Sequence, residues 1–208
     1  MIEPYKEKSA NFLYNLLFCD ELSLFKTNTQ DPPTYPFDIL FDDAAPEEAI
    51  RRITEDTAAD PRVRVLAYNK FLSAGIKPVK KELLAVIVEV GLDQGLDVLA
   101  SFADGTARYI NQSEKILIWE TTDDATALDL TRTLFSRSAQ IVNQIGPWDQ
   151  ARRAAPEKGM TRISFLVSDG LYFGEAPTNL LFNDQLAGPA LQAATQLMQY
   201  LTSKSLES

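Results

Sequence analysis

The sequence predicts an α+β fold: an antiparallel meander sheet of about six strands with helices packed on one face, preceded by an N-terminal helical segment. Three observations support this class. Apolar residues between positions 83 and 120 follow the period of strands, and short turns separate them. Asp-Gly dipeptides at 104–105 and 169–170 suit tight hairpins that need a positive φ. Helical periodicity dominates before residue 80 and in two later segments.

The first element is a helix predicted over residues 4–25. The pair Asp20-Glu21 is a candidate break that would divide it into two shorter helices. Its apolar face is broad, so either the rest of the protein or a second chain must cover it. The apolar residues recur at spacings of three and four: Phe12, Leu13, Leu16, Leu17 and Leu24.

A proline-rich connector and two helices follow. The density of proline in residues 26–36 excludes a helix there, and Phe37 to Phe41 is expected to form a short edge strand or an ordered loop. Pro46 suits the first turn of a helix. A second helix is predicted from Asp60, as N-terminal cap, to a left-handed cap at Gly75.

Four consecutive strands form the predicted meander. Leu83 to Val90 is almost continuously apolar, which is typical of a central strand buried on both faces. Leu96 to Ala103 and Thr106 to Gln112 flank the first Asp-Gly turn, and Lys115 to Glu120 alternates between apolar and polar residues.

The remaining elements are two helices and a second hairpin. A long helix begins at Thr122 or Asp123 and ends before Gly146-Pro147. Thr161 to Ser168 and Leu171 to Glu175 pair across the second Asp-Gly turn, and Pro189 to Leu201 is helical. We expect these two helices to cover one face of the sheet and the N-terminal segment to pack at its edge. Residues 1–80 would thus be a mainly helical segment packed on a sheet domain of residues 81–208.

Composition excludes several classes of function. The formal charge is −9, and the acid excess is spread along the chain without a basic cluster. Nucleic acids and anionic membranes, which both need clustered Lys and Arg, are therefore not expected as partners. The sequence contains no histidine, which excludes His-based triads and His-ligated zinc.

The sequence also indicates the cellular compartment of the protein. Cys19 is the single cysteine and lies in an apolar run, which predicts a buried thiol without a disulfide partner. The N-terminus lacks the form of a signal peptide, and no stretch approaches the ~20 apolar residues of a membrane helix. We therefore expect a cytoplasmic protein.

Three groups of residues are candidate sites. Arg108-Tyr109 and Tyr172 follow the Asp-Gly turns, and adjacent hairpins would bring them into one binding groove; strand alternation alternatively assigns them to core packing. The unpatterned loop after Gly146 contributes Trp148, Arg152 and Arg153 as binding residues, or else as a packed ring beside solvated arginines.

The third group is acidic. Asp123 and Asp124, close to Glu120, are weak candidates for a divalent cation, although acids at a helix N-terminus also favour the helix dipole. No cofactor is expected, and no catalytic motif is present.

Three hypotheses of function remain open. The first is a non-catalytic binding or assembly protein that acts through contacts with itself or another protein. The second is a small-molecule binder or a hydrolytic enzyme that uses carboxylates, with Asp123, Asp124, Arg108 and Tyr109 as participants. The third is an acidic, inhibitor-like partner of a basic protein.

Overall fold

The computed structural model of the chain describes residues 1–207, without the side chains of Asn28 and Glu207. Its centre is a six-stranded sheet of order β4-β3-β2-β1-β5-β6, in which every neighbouring pair is antiparallel. This confirms the predicted fold class. The strands are β1 (Leu83–Leu92), β2 (Gly95–Phe102), β3 (Ala107–Ile110), β4 (Ile116–Trp119), β5 (Met160–Val167) and β6 (Gly170–Pro177).

The N-terminal segment contains four α-helices and one 3₁₀ helix. The predicted helix over residues 4–25 is divided, as the Asp20-Glu21 pair suggested. Phe37 to Phe41, expected to be a strand or loop, instead contains a short helix, in which the Phe37 ring packs against Phe25 and Phe41 at centroid distances of 6.3 and 5.4 Å. The elements are α1 (Lys8–Leu16), the 3₁₀ helix (Leu22–Asn28), α2 (Phe37–Leu40), α3 (Glu47–Glu55) and α4 (Pro61–Ser73).

Both predicted ends of α4 are confirmed. Asp60 accepts a hydrogen bond from the Arg62 amide at 2.8 Å, which satisfies one of the unpaired donors of the first turn. Gly75 has a φ of +76°, the left-handed conformation that glycine adopts without steric cost.

The C-terminal layer consists of α5 (Ala125–Val142), α6 (Thr178–Asn183) and α7 (Ala187–Glu207). Asp124 caps α5 by accepting from the Ala127 amide at 2.8 Å, so the cap lies one residue beyond the predicted positions. The short helix α6 was not predicted. The helix α7 starts earlier than expected because Asp184 accepts from the Ala187 amide at 2.8 Å.

The two helical layers cover opposite faces of the sheet. Ala85, Ile87 and Val98 face the N-terminal helices and share one core cluster with them. Val86 and Leu99 face α5 and α7 in a second cluster. The N-terminal segment therefore does not lie at an edge, because its apolar side chains are numerous enough to cover a whole face. The division of the chain at residue 80 stays a prediction.

Within residues 1–207, no helix combines the length and the apolarity that a membrane span requires.

Candidate functional site

A groove of about 270 Å³ opens in the N-terminal layer, and we call it the arginine groove. One wall is α1, whose leucines at positions 13, 16 and 17 fall on one side of the helix. The other wall is aromatic, since Phe25 stacks on Phe37 with an interplanar angle of 25°. Its lining residues are Leu13, Leu16, Leu17, Phe25, Thr29, Phe37, Asp60, Arg62, Val63 and Arg108.

Two arginines from distant parts of the chain form the charged part of this groove. Arg62, in the first turn of α4, is held by Asp60 through its Nε at 3.0 Å and its Nη2 at 2.6 Å, and its guanidinium lies 5.3 Å from the centroid of the Phe102 ring. Arg108, on β3, is 4% exposed and pairs with Glu120. Its Nη1 also donates to the Trp119 carbonyl at 3.2 Å.

The electrostatics of this arginine pair favour an anion. Burial and the neighbouring Arg62 charge lower the pKa of Arg108. Burial also acts to lower the pKa of Arg62, but the hydrogen bonds that Arg62 donates to Asp60 and the negative charges of Asp60 and Glu120 together outweigh it, and the pKa is raised. Within residues 1–207, neither Arg62 Nη1 nor Arg108 Nε has a hydrogen-bond partner. A carboxylate in the groove would supply acceptors for these donors and relieve the repulsion between the two cations.

A buried ionic network lies under the same layer, on the neighbouring strands β1, β5 and β6. Glu89, Arg162 and Glu175 are register partners and face the N-terminal helices. Arg162 Nη2 lies 2.5 Å from Glu175 Oε2, and Arg162 Nη1 lies 3.5 Å from Glu89 Oε2. Glu89 and Arg162 are 0% and 3% exposed, so both charges are removed from water. Such groups persist in a core only where each has a partner.

The network is joined to α1 through Tyr14. The Tyr14 hydroxyl donates to Glu89 Oε1 at 2.7 Å, and Arg152 lies over the Tyr14 and Phe18 rings at 5.3 and 4.0 Å. Arg152 Nε also donates to Asp20 at 2.7 Å. Burial raises the pKa of Glu89, an effect that Arg162 and Tyr14 reduce without cancelling. Through the hydrogen bond of Tyr14, the network anchors α1, which forms one wall of the groove.

The structure separates the residues that the sequence predicted to share a groove. Three strands lie between β3, which carries Arg108 and Tyr109, and β6, which carries Tyr172. Arg108 faces the N-terminal layer, whereas Tyr109 and Tyr172 face α5 and α7. Tyr109 donates to Asp97 at 2.9 Å, and Tyr172, which is 1% exposed, donates to Asp169 at 2.8 Å. The predicted common groove is therefore wrong, and of these three residues Arg108 lines the arginine groove.

The loop residues Trp148, Arg152 and Arg153 lie beside β6 and α1. Trp148 packs edge-on against Phe173 at 5.1 Å and donates from Nε1 to the Ala151 carbonyl at 3.0 Å. The guanidinium of Arg152 is directed into the α1 contacts, while Arg153 is half-exposed and lies 3.7 Å from Glu175. The structure brings these three residues together at the ionic network, and a binding role for them stays a prediction.

The acidic candidates lie at the start of α5, and a role in binding a cation stays a prediction. Asp124 accepts from the Ala127 amide and from the Tyr200 hydroxyl at 2.9 Å, and the first of these bonds is the main cause of its lowered pKa. Within residues 1–207, no group of three or more carboxylate or thiol side chains is placed to hold a metal ion. Neither Asp123 nor Asp124 lines any of the cavities described here.

A larger cavity of about 510 Å³ lies between the end of α1, α3 and α4. Lys70 is its cation, but the ammonium group donates to the carbonyls of Leu40 and Asp42 at 3.2 and 2.6 Å. Cys19 also lines it, although the residue is 1% exposed and burial raises the pKa of the thiol well above its ordinary value. This thiol is therefore inert as a nucleophile at neutral pH.

Most of the residues that line the groove were not predicted from the sequence. The spacing of Leu13 and Leu16 marked an apolar face without showing that part of it stays accessible. Arg62 follows the recognised Asp60-Pro61 start of α4, but local signals do not place it beside Arg108, which is 46 residues further along the chain. Phe37 was assigned to a strand or loop, so its pairing with Phe25 was not expected.

Comparisons with known proteins give no family for this chain: no family model matches it, and no curated protein is similar to it in sequence at a significant level.

Proposed function

We propose that the protein is a non-catalytic binding protein that acts in the cytoplasm through protein contacts, and that the arginine groove holds an apolar segment of a partner that carries a carboxylate. The observation that supports this most directly is the combination of leucine and phenylalanine walls with two arginines, Arg108 buried and Arg62 partly exposed, that retain unpaired donors. Aromatic residues and arginine dominate the energetics of protein interfaces.

The size of the groove suits a side chain or two of a protein better than a whole metabolite. At about 270 Å³ it falls just below the range of roughly 300–1,000 Å³ that is typical of small-molecule pockets. The hydrogen bond from Tyr14 to Glu89 anchors α1, which lowers the cost of positioning the leucine wall at binding.

The charge of the groove also separates this proposal from that of an acidic partner of a basic protein. The chain as a whole has a formal charge of −9, but two arginines line the groove, and their carboxylate partners Asp60 and Glu120 leave Arg62 Nη1 and Arg108 Nε without an acceptor among residues 1–207. An acidic segment is therefore the better electrostatic complement at this place.

Selection from a library of randomised short peptides displayed on phage tests the proposal. Peptides enriched on the wild-type protein should combine apolar residues with Asp or Glu. The double variant Leu13→Gln/Leu16→Gln keeps good helix formers in α1 and should bind those peptides roughly tenfold or more weakly, since burial of one leucine contributes about 1.5–3 kcal/mol.

The matched control is Leu180→Gln/Leu206→Gln. It removes two leucines that are 61% and 89% exposed and lie outside the groove, so binding should be unchanged. A failure to enrich any peptide, or equal binding by the groove variant, would refute the proposal.

A second candidate function, small-molecule binding, is favoured by the larger cavity of about 510 Å³, which is within the usual range for such ligands. A panel of metabolites can be screened by thermal shift, since a specific ligand raises the melting temperature. A compound that stabilises the wild type but not Ala45→Phe, which narrows this cavity, would support it; a panel without any shift counts against it.

A further inference from the structure

The strand β4 is the outer edge of the sheet on the side of the arginine groove. The Asn111 amide donates to the Lys115 carbonyl at 3.0 Å, and this bond fixes the phase of the β3–β4 ladder. By the alternation of an antiparallel pair, Leu117 and Trp119 direct their backbone groups toward β3, whereas Ile116 and Ile118 direct theirs away from the sheet. Within residues 1–207, these outward groups have no hydrogen-bond partner.

This edge is short, which by itself limits further pairing, but it lacks the other blocking features. The four residues of β4 include no charge and no proline. Ile116 and Ile118 are 40% and 58% exposed, although they point to the face that the N-terminal layer covers elsewhere. The helical layer therefore stops short of β4 and leaves an open apolar margin.

The margin is continuous with the arginine groove. Ile118 is the register partner of Arg108, which lines the groove. The acidic partner of Arg108, Glu120, has a side chain that is 58% exposed and follows β4 directly. A carboxylate from an incoming chain could therefore join or replace Glu120 at Arg108 while the backbone of that chain lies beside Ile118.

We propose that the partner segment adds to β4 as a seventh, extended strand, with a carboxylate side chain at Arg108 and apolar side chains over Ile116 and Ile118. The inference rests on the proposed function, because it specifies how the segment in the arginine groove is bound. Backbone hydrogen bonds to β4 supply affinity that is independent of sequence, and the groove supplies the preference for apolar and acidic residues.

An N-methyl scan of one peptide selected by phage display tests the geometry. An added strand pairs every second amide with β4, so N-methylation should weaken binding roughly tenfold or more at alternate positions and little at the positions between them. A profile with a period of three to four residues, or a flat profile, would overturn strand addition. If the Leu13→Gln/Leu16→Gln variant still lost binding in that case, the groove function would remain.

The variant Ile118→Pro tests the same inference from the side of the protein. Proline removes an outward N–H without removing a β3–β4 hydrogen bond, so the fold should persist and peptide binding should fall by roughly tenfold or more. Val79→Pro, at a 94% exposed loop position, is the control and should bind normally. Thermal melting of both variants verifies folding.

Sedimentation of the wild type without peptide tests whether a second copy of this chain occupies the β4 edge. We expect the wild-type protein to sediment as a monomer. A wild-type dimer that Ile118→Pro dissociates would show that β4 pairs with a second copy of this chain, and would overturn the assignment of the edge to an acidic peptide.

Discussion

The two faces of the sheet differ in the polarity of the side chains that they bury. Under α5 and α7, the core of the described residues contains no buried charge, and it includes small residues such as Ala190 and Ala194 and the hydroxyls of Thr131 and Ser138. Under the N-terminal layer, the same sheet carries Glu89, Arg108 and Arg162, all less than 5% exposed. The cavities of about 510 and 270 Å³ also lie in the N-terminal layer.

On the basis of this contrast, we propose that one face of the sheet supports the fold and the other binds a partner. An apolar interface of small residues can be packed densely and requires no specific partner for any side chain. In a layer that contains buried charges, hydrogen bonds fix the arrangement of the side chains. Its irregular helices do not pack closely everywhere, so concave spaces with a polar lining remain. The N-terminal layer is therefore the face on which we place binding, and the C-terminal layer is the scaffold behind it.

The largest expected effect comes from removing the central cation of the charged face. Arg162→Met leaves Glu89 buried without its ionic partner and should reduce the free energy of unfolding by about 3–5 kcal/mol, as measured by urea denaturation.

The double variant Glu89→Leu/Arg162→Met is the informative control. It replaces the pair with two apolar residues of similar volume and should recover part of the loss, since in this variant the Tyr14 hydroxyl lacks its acceptor Glu89 and Glu175 lacks Arg162. A double variant as unstable as Arg162→Met would mean that packing, and not charge compensation, holds this face together.

A matched pair of tyrosines compares the two faces directly. Tyr14 and Tyr172 are 0% and 1% exposed, and each donates one hydrogen bond to a carboxylate. Tyr14→Phe should cost about 1.5–3 kcal/mol, since its acceptor Glu89 is fully buried. Tyr172→Phe should cost about 1 kcal/mol, because its acceptor Asp169 is partly exposed and can be hydrated.

Equilibrium unfolding in urea measures both variants under the same conditions. Equal losses would contradict the view that the N-terminal face depends more strongly on its polar contacts.

The same contrast explains how far the sequence could predict this molecule. The meander β1 to β4 and the β5–β6 hairpin were predictable, because alternation and Asp-Gly turns are local signals. The contacts of the N-terminal face are not local. Tyr14 and Glu89 are 75 residues apart, and Arg152 meets Asn15 across 137 residues. Neither periodicity nor composition carries information on such pairs.

The binding role of the predicted site residues stays a prediction, and the structure shows only where they lie. Arg108 was singled out from its place after an Asp-Gly turn, and it does line the groove. Its predicted neighbour Tyr172 lies at the opposite edge of the sheet, since β5 pairs with β1 and places β6 there, and it points to the other face, as does its register partner Phe165. Strand order depends on pairing between distant segments, which the sequence pattern alone does not determine.

The smallest change in the free energy of unfolding at any single pH is expected from the titration of Glu89. It is also the effect most specific to the charged face. In the unfolded chain a glutamate titrates near pH 4.3, while burial raises the pKa of Glu89 in the folded protein. Between these two values the folded state holds a proton that the unfolded state has released. The contribution of this group to stability is therefore complete below about pH 4.3 and is lost as the pH rises through the folded pKa.

Glu89→Gln has no such titration and keeps the shape of the side chain. The free energy of unfolding of this variant, minus that of the wild type, should increase as the pH rises from about 4.3 through the folded pKa and then become constant. Urea denaturation across a pH series measures this difference. Glu48→Gln, at a side chain that is 67% exposed, controls for the loss of one negative charge. A difference for Glu89→Gln that declines with pH would show that Arg162 and Tyr14 more than compensate for burial, so that the charged carboxylate stabilises this face.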